Sequence, residues 1–145
     1  MLLDLVNRHE LTTYSQRQRI EILEWSIKQL DDAKGEFDYD YRHILHDGWY
    51  IRMMKIPAGD LVIGKVHKTR HMNYLLSGTA SIVSDDIQIQ ATAQFSFESN
   101  INTKKAVFAH SDIIYATTHK THKTDLNEIM KETVYESDLT WLEGR

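Results

Sequence analysis

The sequence has no cysteine. Disulfides, thiolate metal sites and cysteine nucleophiles are therefore excluded, and a metal would have to be held by histidine, carboxylate, amide or water. Proline is nearly absent too. The only one, Pro57, falls with three of the six glycines in the stretch 56–83, so the turn punctuation is concentrated there. No apolar run approaches the ~18 residues needed to span a bilayer, so no membrane partner is expected. The start, MLLDLVNRHEL, is broken by Asp4, Asn7 and Arg8 and lacks a preceding basic flank. It does not read as a signal segment, and a cytoplasmic location is the expectation. A large charge of one sign is also missing. The net charge of −4 gives no reason to expect a general polyanion binder. The nearest basic cluster, Lys65, Lys68 and Arg70, reads as a solvated face, so no nucleic-acid partner is expected. Neither a glycine-rich phosphate loop nor a G-x-S-x-G elbow occurs.

What is present is an ordinary globular balance, 41% apolar and 26% charged. A chain of 145 residues reads as one domain, 1–145, able to bury a core without staples. The eight histidines are many for this length. Two of them, His67 and His71, stand four apart where the residues alternate like strands.

A first helix is expected over 15–30. Ser15 and Gln18 form a capping-box pattern, and Ile20, Leu23, Ile27 and Leu30 recur at helical spacing. Asp31, Asp32 and Gly35 end it. The stripe reads as a packing face, with an oligomer contact through Trp25 as the alternative. Residues 1–14 read as an irregular lead-in. Phe37, Tyr39 and Tyr41 alternate with Asp38, Asp40 and Arg42 as an edge strand, with His43 and His46 in a loop beyond it. Asp47-Gly48 is a turn signal. Strands are then expected at 49–56, 61–65, 67–76, 79–84, 87–91, 93–97, 105–109 and 112–119. Turn signals at intervals of roughly 8–12 residues indicate an all-β sandwich or barrel over about 37–119. Asp125 and Glu128 cap a second helix at about 125–135, with Leu126, Ile129 and Met130 as its apolar face. The tail, with Trp141 and Leu142, reads as loosely attached or as a partner contact.

Alternate strand residues share a face, so Lys65, His67, Thr69 and His71 would point the same way. On a straight strand the two imidazoles would be ~13 Å apart, too far for one ion unless the strand bends. Imidazole ligands suit Zn, Fe(II), Ni or Mn rather than Mg or Ca, and an open position would bind water or substrate. The plain alternative is hydrogen-bonded barrel histidines. Lys65 weighs against an ion, because an ammonium beside a dication is unfavourable unless it points away or meets an anion. Tyr50, Arg52 and Met54 alternate and would line the wall. An inward Arg52 would clamp a carboxylate or phosphate, and an outward one would form a surface ion pair. His122 reads as exposed.

The frame Gly59-x5-Lys65-x-His67-x3-His71-x6-Gly78 resembles the first motif of the cupin superfamily, G-x5-H-x-H-x3/4-E-x6-G. Lys65 replaces the first His and His71 replaces the Glu. Gly48, Tyr50, Arg52, Pro57-Ala58-Gly59 and the run 64–71 also resemble small cupin-like proteins of tailed phages and prophages. The resemblance covers roughly half the chain, from about Gly48 to His119 and the Asp125 cap. The second cupin motif is poorly kept. By register, Ile101 and Thr103 stand at its Pro and Gly, Ala106 at the third His ligand, and His110 at the Asn. The resemblance implies a cupin-like jelly-roll β-barrel (double-stranded β-helix) with an N-terminal and a C-terminal α-helix. It implies a divalent transition metal (Fe, Zn, Mn or Ni) on His67 and His71, with His119 arriving from the last strand as a compensating third ligand. Arg52, Lys65 and Tyr50 would position a small-molecule ligand, and the chain would form a homodimer or higher homo-oligomer, in a host cytoplasm if phage-encoded. Three functions stay open: a metal-dependent enzyme on a small polar or anionic molecule, a non-catalytic small-molecule binder such as a phage accessory or counter-defence protein, or a structural or assembly protein.

Overall fold

The computed structural model describes residues 13–30, 34 and 38–143. Its first described helix, α1 (Gln16–Lys28), starts where the capping box places it. Ser15 Oγ accepts from the Gln18 N–H at 3.1 Å, and Gln18 Oε1 accepts from the Ser15 N–H at 3.0 Å. These bonds satisfy donors that the first turn leaves free. Ile20 and Leu23 are fully buried against Val83, Ala106 and Phe108, with Leu61 and Ile63 at the margin. The stripe is thus a packing face, and it fades outward, since Leu30 is exposed. The expected stop residues Asp31, Asp32 and Gly35, most of the lead-in, and Phe37 lie outside the described residues.

The strands are β1 (Asp40–His46), β2 (Trp49–Ile56), β3 (Leu61–Ile63), β4 (His71–Ser77), β5 (Thr79–Ser84), β6 (Gln88–Thr92), β7 (Phe95–Ser99), β8 (Lys105–Ala109) and β9 (Ile113–Lys120). They form a five-stranded sheet in the order β1-β2-β9-β4-β7 and a four-stranded sheet in the order β3-β8-β5-β6. Every pairing is antiparallel. Helix α1 covers the outer face of the smaller sheet, which is why every residue of β8 is buried. Helix α2 (Leu126–Thr133) follows β9, with Asp125 as its cap. Among the described residues no helix is long and apolar enough to cross a membrane. The turns after β2 and β4 use Gly59 and Gly78 at φ +90° and +82°, a backbone region that glycine enters without strain.

The inner faces are apolar at one end and polar at the other. Met54, Ile56, Val62, Leu75, Ile82, Val107, Ile113 and Tyr115 belong to one core. Two residues further along the large sheet, Arg52 and Asn73 flank Thr117. Two further on, Tyr50 pairs with His119 and His71 with Ser99. Strand period two therefore carries each strand from core into a buried polar floor.

Several expectations are corrected. The strand expected at 67–76 begins only at His71, and His67 sits in an isolated bridge to both Thr103 and Val134. The strand expected at 61–65 stops at Ile63. His43 and His46 lie within the edge strand β1 rather than in a loop. The tail is not loose. Its Tyr135 N–H donates to Val66 O at 2.9 Å, Leu142 is buried, and the Trp141 ring lies 6.1 Å from that of Tyr14.

An internal ion pair ties helix, loop and tail together. Lys104 is 1% exposed, and its Nζ lies 2.8 Å from Glu24 Oε1. It also donates to Ser137 Oγ at 3.1 Å, and that hydroxyl donates to Glu24 Oε2 at 2.9 Å. Removing one member strands the other charge in a site largely shielded from water. Lys104→Ala is therefore expected to lower unfolding stability by about 3–5 kcal/mol in urea titration. The double variant Lys104→Met with Glu24→Leu, which removes both charges and keeps the volume, should recover most of that loss.

Candidate metal centre

Three histidines meet at the polar end of the barrel. His67, His71 and His119 each offer one nitrogen, and the three atoms lie within 4.8 Å of one another. All three side chains are buried. Their ring centroids are 4.1 Å apart for His67 and His71, 4.6 Å for His71 and His119, and 5.1 Å for His67 and His119. His43, His46, His110 and His122 lie outside the cluster.

Residues 64–70 make the meeting feasible. The chain leaves the sheet after β3, bends at Lys68 and Thr69, and rejoins it at His71. Backbone groups that leave a ladder need other partners. His67 N–H donates to Thr103 O at 3.0 Å, and Asn102 N–H donates to His67 O at 2.7 Å. Lys68 N–H donates to Thr133 O at 2.7 Å, so the end of α2 braces the same segment. Thr69, at the bend, reaches both neighbours. Its carbonyl lies 3.0 Å from His71 Nδ1 and its hydroxyl 3.5 Å from His119 Nδ1. A carbonyl only accepts, so neutral His71 carries its proton on Nδ1 and turns the bare Nε2 inward.

A cavity of about 40 Å³ adjoins the cluster. By the ~10–15 Å³ that one water requires, it has room for a few atoms. Its wall includes Arg52, Lys65, His67, Lys105, Tyr115 and Thr117, and none of the described residues lining it is acidic. Arg52 therefore faces inward, where it also lies over the Tyr41 ring at 5.5 Å. Lys65 borders the cavity, but its Nζ is 2.9 Å from Glu136 Oε1, so its charge is turned toward the tail. Tyr50 stands beside His119, with ring centroids 6.4 Å apart, yet its hydroxyl is 2.7 Å from His43 Nδ1 and it does not line the cavity.

Lys105 is the site residue that sequence reasoning missed. It is buried, with Nζ 3.0 Å from His71 Nε2 and 3.3 Å from Ser99 Oγ. Ala106, the residue in register with the second-motif ligand, packs outward against α1. The available signal was the alternation of β8, which puts Lys105 on the same face as core residue Val107.

The donor set fits a divalent ion. Burial is the first cause that lowers all three imidazole pKa values, and the Lys105 and Arg52 charges add to it. His71 and His119 are each pushed down to about 3, and His67 goes well below 6.5. The rings are therefore neutral at pH 7, the form that coordinates metal. His67 Nδ1 and Thr117 Oγ1 are buried without a hydrogen-bond partner among the described residues, as expected of groups awaiting a ligand.

Linkage gives these shifts a sign. The folded pKa values lie below the unfolded one, so the unfolded chain binds more protons between about pH 6.5 and 3. Stability is intact above pH 6.5 and falls as the pH drops through that window. For chelator-treated protein the expected loss between pH 7 and 5 is about 2 kcal/mol for each of His71 and His119. Urea titrations at pH 7, 6 and 5 measure it, and a His119→Gln variant should show a shallower fall.

No protein-family model matches the chain, and no curated protein matches it. Solved structures do. The plu4264 protein of Photorhabdus luminescens aligns with TM-score 0.54 at 14% identity, over 70% of this chain and 92% of that one. KdgF from Halomonas sp. aligns with TM-score 0.51 at 11% identity, over 63% and 95%. An RmlC-like cupin family protein with a double-stranded β-helix fold, from Methanocaldococcus jannaschii, aligns with TM-score 0.49 at 14% identity, over 68% and 91%. With two antiparallel sheets whose strands interleave along the chain and close on a shared interior, this protein has the cupin fold, a jelly-roll double-stranded β-helix flanked by a helix on either side in sequence.

Proposed function

We propose that this protein holds a divalent transition metal on His67, His71 and His119 and binds a small anionic molecule in the cavity beside them. One observation carries the reading: three buried imidazoles, two from the run 67–71 and one from the last strand, present nitrogens within 4.8 Å of one another. Neutral nitrogen donors without thiolate suit Zn, Fe(II), Mn or Ni. When bound, the ion would supply Lewis acidity at coordination positions that the protein leaves open.

The chain's own residues do the rest. Thr69 O fixes the tautomer of His71 and aims Nε2 at the cluster. Met54, Ile56, Val62 and Val107 form the apolar side of the cavity and keep its dielectric low. Arg52 faces the same space and offers a carboxylate or phosphate group a planar set of donors. The Thr117 hydroxyl, buried and without a hydrogen-bond partner among the described residues, is a neutral donor on the same wall. A second reading, a non-catalytic binder of a small anion, draws on the size of the cavity and its cationic wall.

Elemental analysis tests the metal. Protein stripped with chelator and reconstituted separately with Fe(II), Mn, Ni and Zn should hold about one equivalent of at least one of them, and His67→Ala should hold none. A wild-type protein that takes up no stoichiometric metal from any of the four sinks the reading. For the anion, thermal-shift screens of small carboxylates and phosphate should give stabilisation that Arg52→Ala loses, because only a ligand of the native state raises its melting temperature.

A further inference from the structure

A three-imidazole metal centre has no use for an ammonium on one of its lone pairs, yet Lys105 is placed there. Its Nζ lies 3.0 Å from His71 Nε2, on the bare side of a ring whose other nitrogen is spent on Thr69 O. The placement is built. Ser99 Oγ, 3.3 Å away, is the second acceptor for Lys105 and also accepts from Asn73 Nδ2 at 2.8 Å. Asn73 Oδ1 in turn accepts from the Tyr115 hydroxyl at 2.7 Å. Residues of β4, β7, β8 and β9 thus hold one lysine against one imidazole, at a site where Lys105 is 5% exposed.

We propose that Lys105 is the resident cation of the cluster: it occupies His71 Nε2 in the metal-free protein and must be displaced before an ion can take all three histidines. The inference rests on the metal reading and adds a regulator to it. A lysine in this position opposes metal twice, by occupying a donor lone pair and by repelling a second cation. It also couples the two halves of the site. The cavity that Lys105 lines is the one that Arg52 and Thr117 share, so an ammonium released from His71 has an anion pocket to enter. Metal should therefore favour anion binding there, and by reciprocity a bound anion should tighten metal.

The test compares Zn²⁺ dissociation constants of wild type, Lys105→Met and Lys105→Gln, measured by competition with a chromophoric chelator. Met keeps the length of the side chain without its charge. Gln keeps a donor and guards against a packing defect in the Met variant, with circular dichroism showing which variants fold. The expected result is Zn²⁺ binding by all, at least tenfold tighter in each folded variant than in wild type. Equal or weaker binding in the variants overturns the role of Lys105 and leaves the metal reading standing. No Zn²⁺ binding by any of the proteins overturns both. A second readout needs no variant: acetylation of Lys105 in the wild type, followed by mass spectrometry, should rise when Zn²⁺ is added, and unchanged labelling overturns displacement.

Discussion

The bend at Lys68 and Thr69 is the constraint on which the rest of the site depends. A continuous strand would leave the two imidazoles of His67 and His71 ~13 Å apart. The chain instead gives up its ladder between Ile63 and His71, and the ring centroids come within 4.1 Å. Leaving a ladder is costly wherever the freed N–H and C=O groups are shielded from water and not caught by other partners. Here the partners come from the turn at Asn102 and Thr103 and from the C-terminal segment at Thr133 and Tyr135. The second helix and the tail are therefore part of the site's architecture. They hold the detour in place, and the detour brings the histidines together.

A second constraint follows from burial. Imidazoles can be buried neutral at modest cost, but an ammonium cannot be left without acceptors. Lys105 meets that requirement with His71 Nε2 and Ser99 Oγ, and Ser99 is positioned through Asn73 and Tyr115. The polar floor is thus one connected network rather than a set of separate groups. Such networks are sensitive to the loss of any member, because each remaining partner is then exposed to the full cost of its desolvation.

Much of this was legible in the sequence, for reasons that can be stated. The capping box at Ser15 and Gln18 and the Asp125 cap are local signals, and both helices start where those signals put them. The cupin spacing around His67 and His71 implied the fold, and the topology of a jelly roll brought His119 in from the far end of the barrel. The bend itself was only a requirement of the metal hypothesis, since the run 64–70 carries no turn signal at Lys68 and Thr69, its one glycine standing earlier at Gly64. Lys105 was missed for a different reason. A lysine opening a strand reads as a solvated end, and only the inward face shared with Val107 and the acceptors on β4 and β7 make it a buried one. The attached tail was missed because its contacts, Tyr135 to Val66 and Ser137 to Glu24, span long stretches of sequence without any local periodicity.

The charge balance of the site separates it from the motif it resembles. In that motif a Glu stands where this chain has His71, and a carboxylate offsets half the charge of a divalent ion. Here the three nitrogens are neutral, so an ion would keep its full charge. Arg52, Lys65 and Lys105 line the space beside it, and among the described residues of that wall there is no acid. Glu136 holds the Lys65 ammonium from the outer side and is itself exposed, so it does little for the interior. A divalent ion placed here would add to the charges of Arg52 and Lys105, at a cost that rises as the local dielectric falls. On the proposed reading, a metal here would be held weakly unless an anion from solution completed the site. Lys105 on His71 Nε2 would account for the first outcome, and the cationic wall of the cavity would favour the second. The two are not rival accounts. On the proposed reading, an anion that drew the lysine away from His71 would remove the obstacle to the metal and bring negative charge to the site in one event.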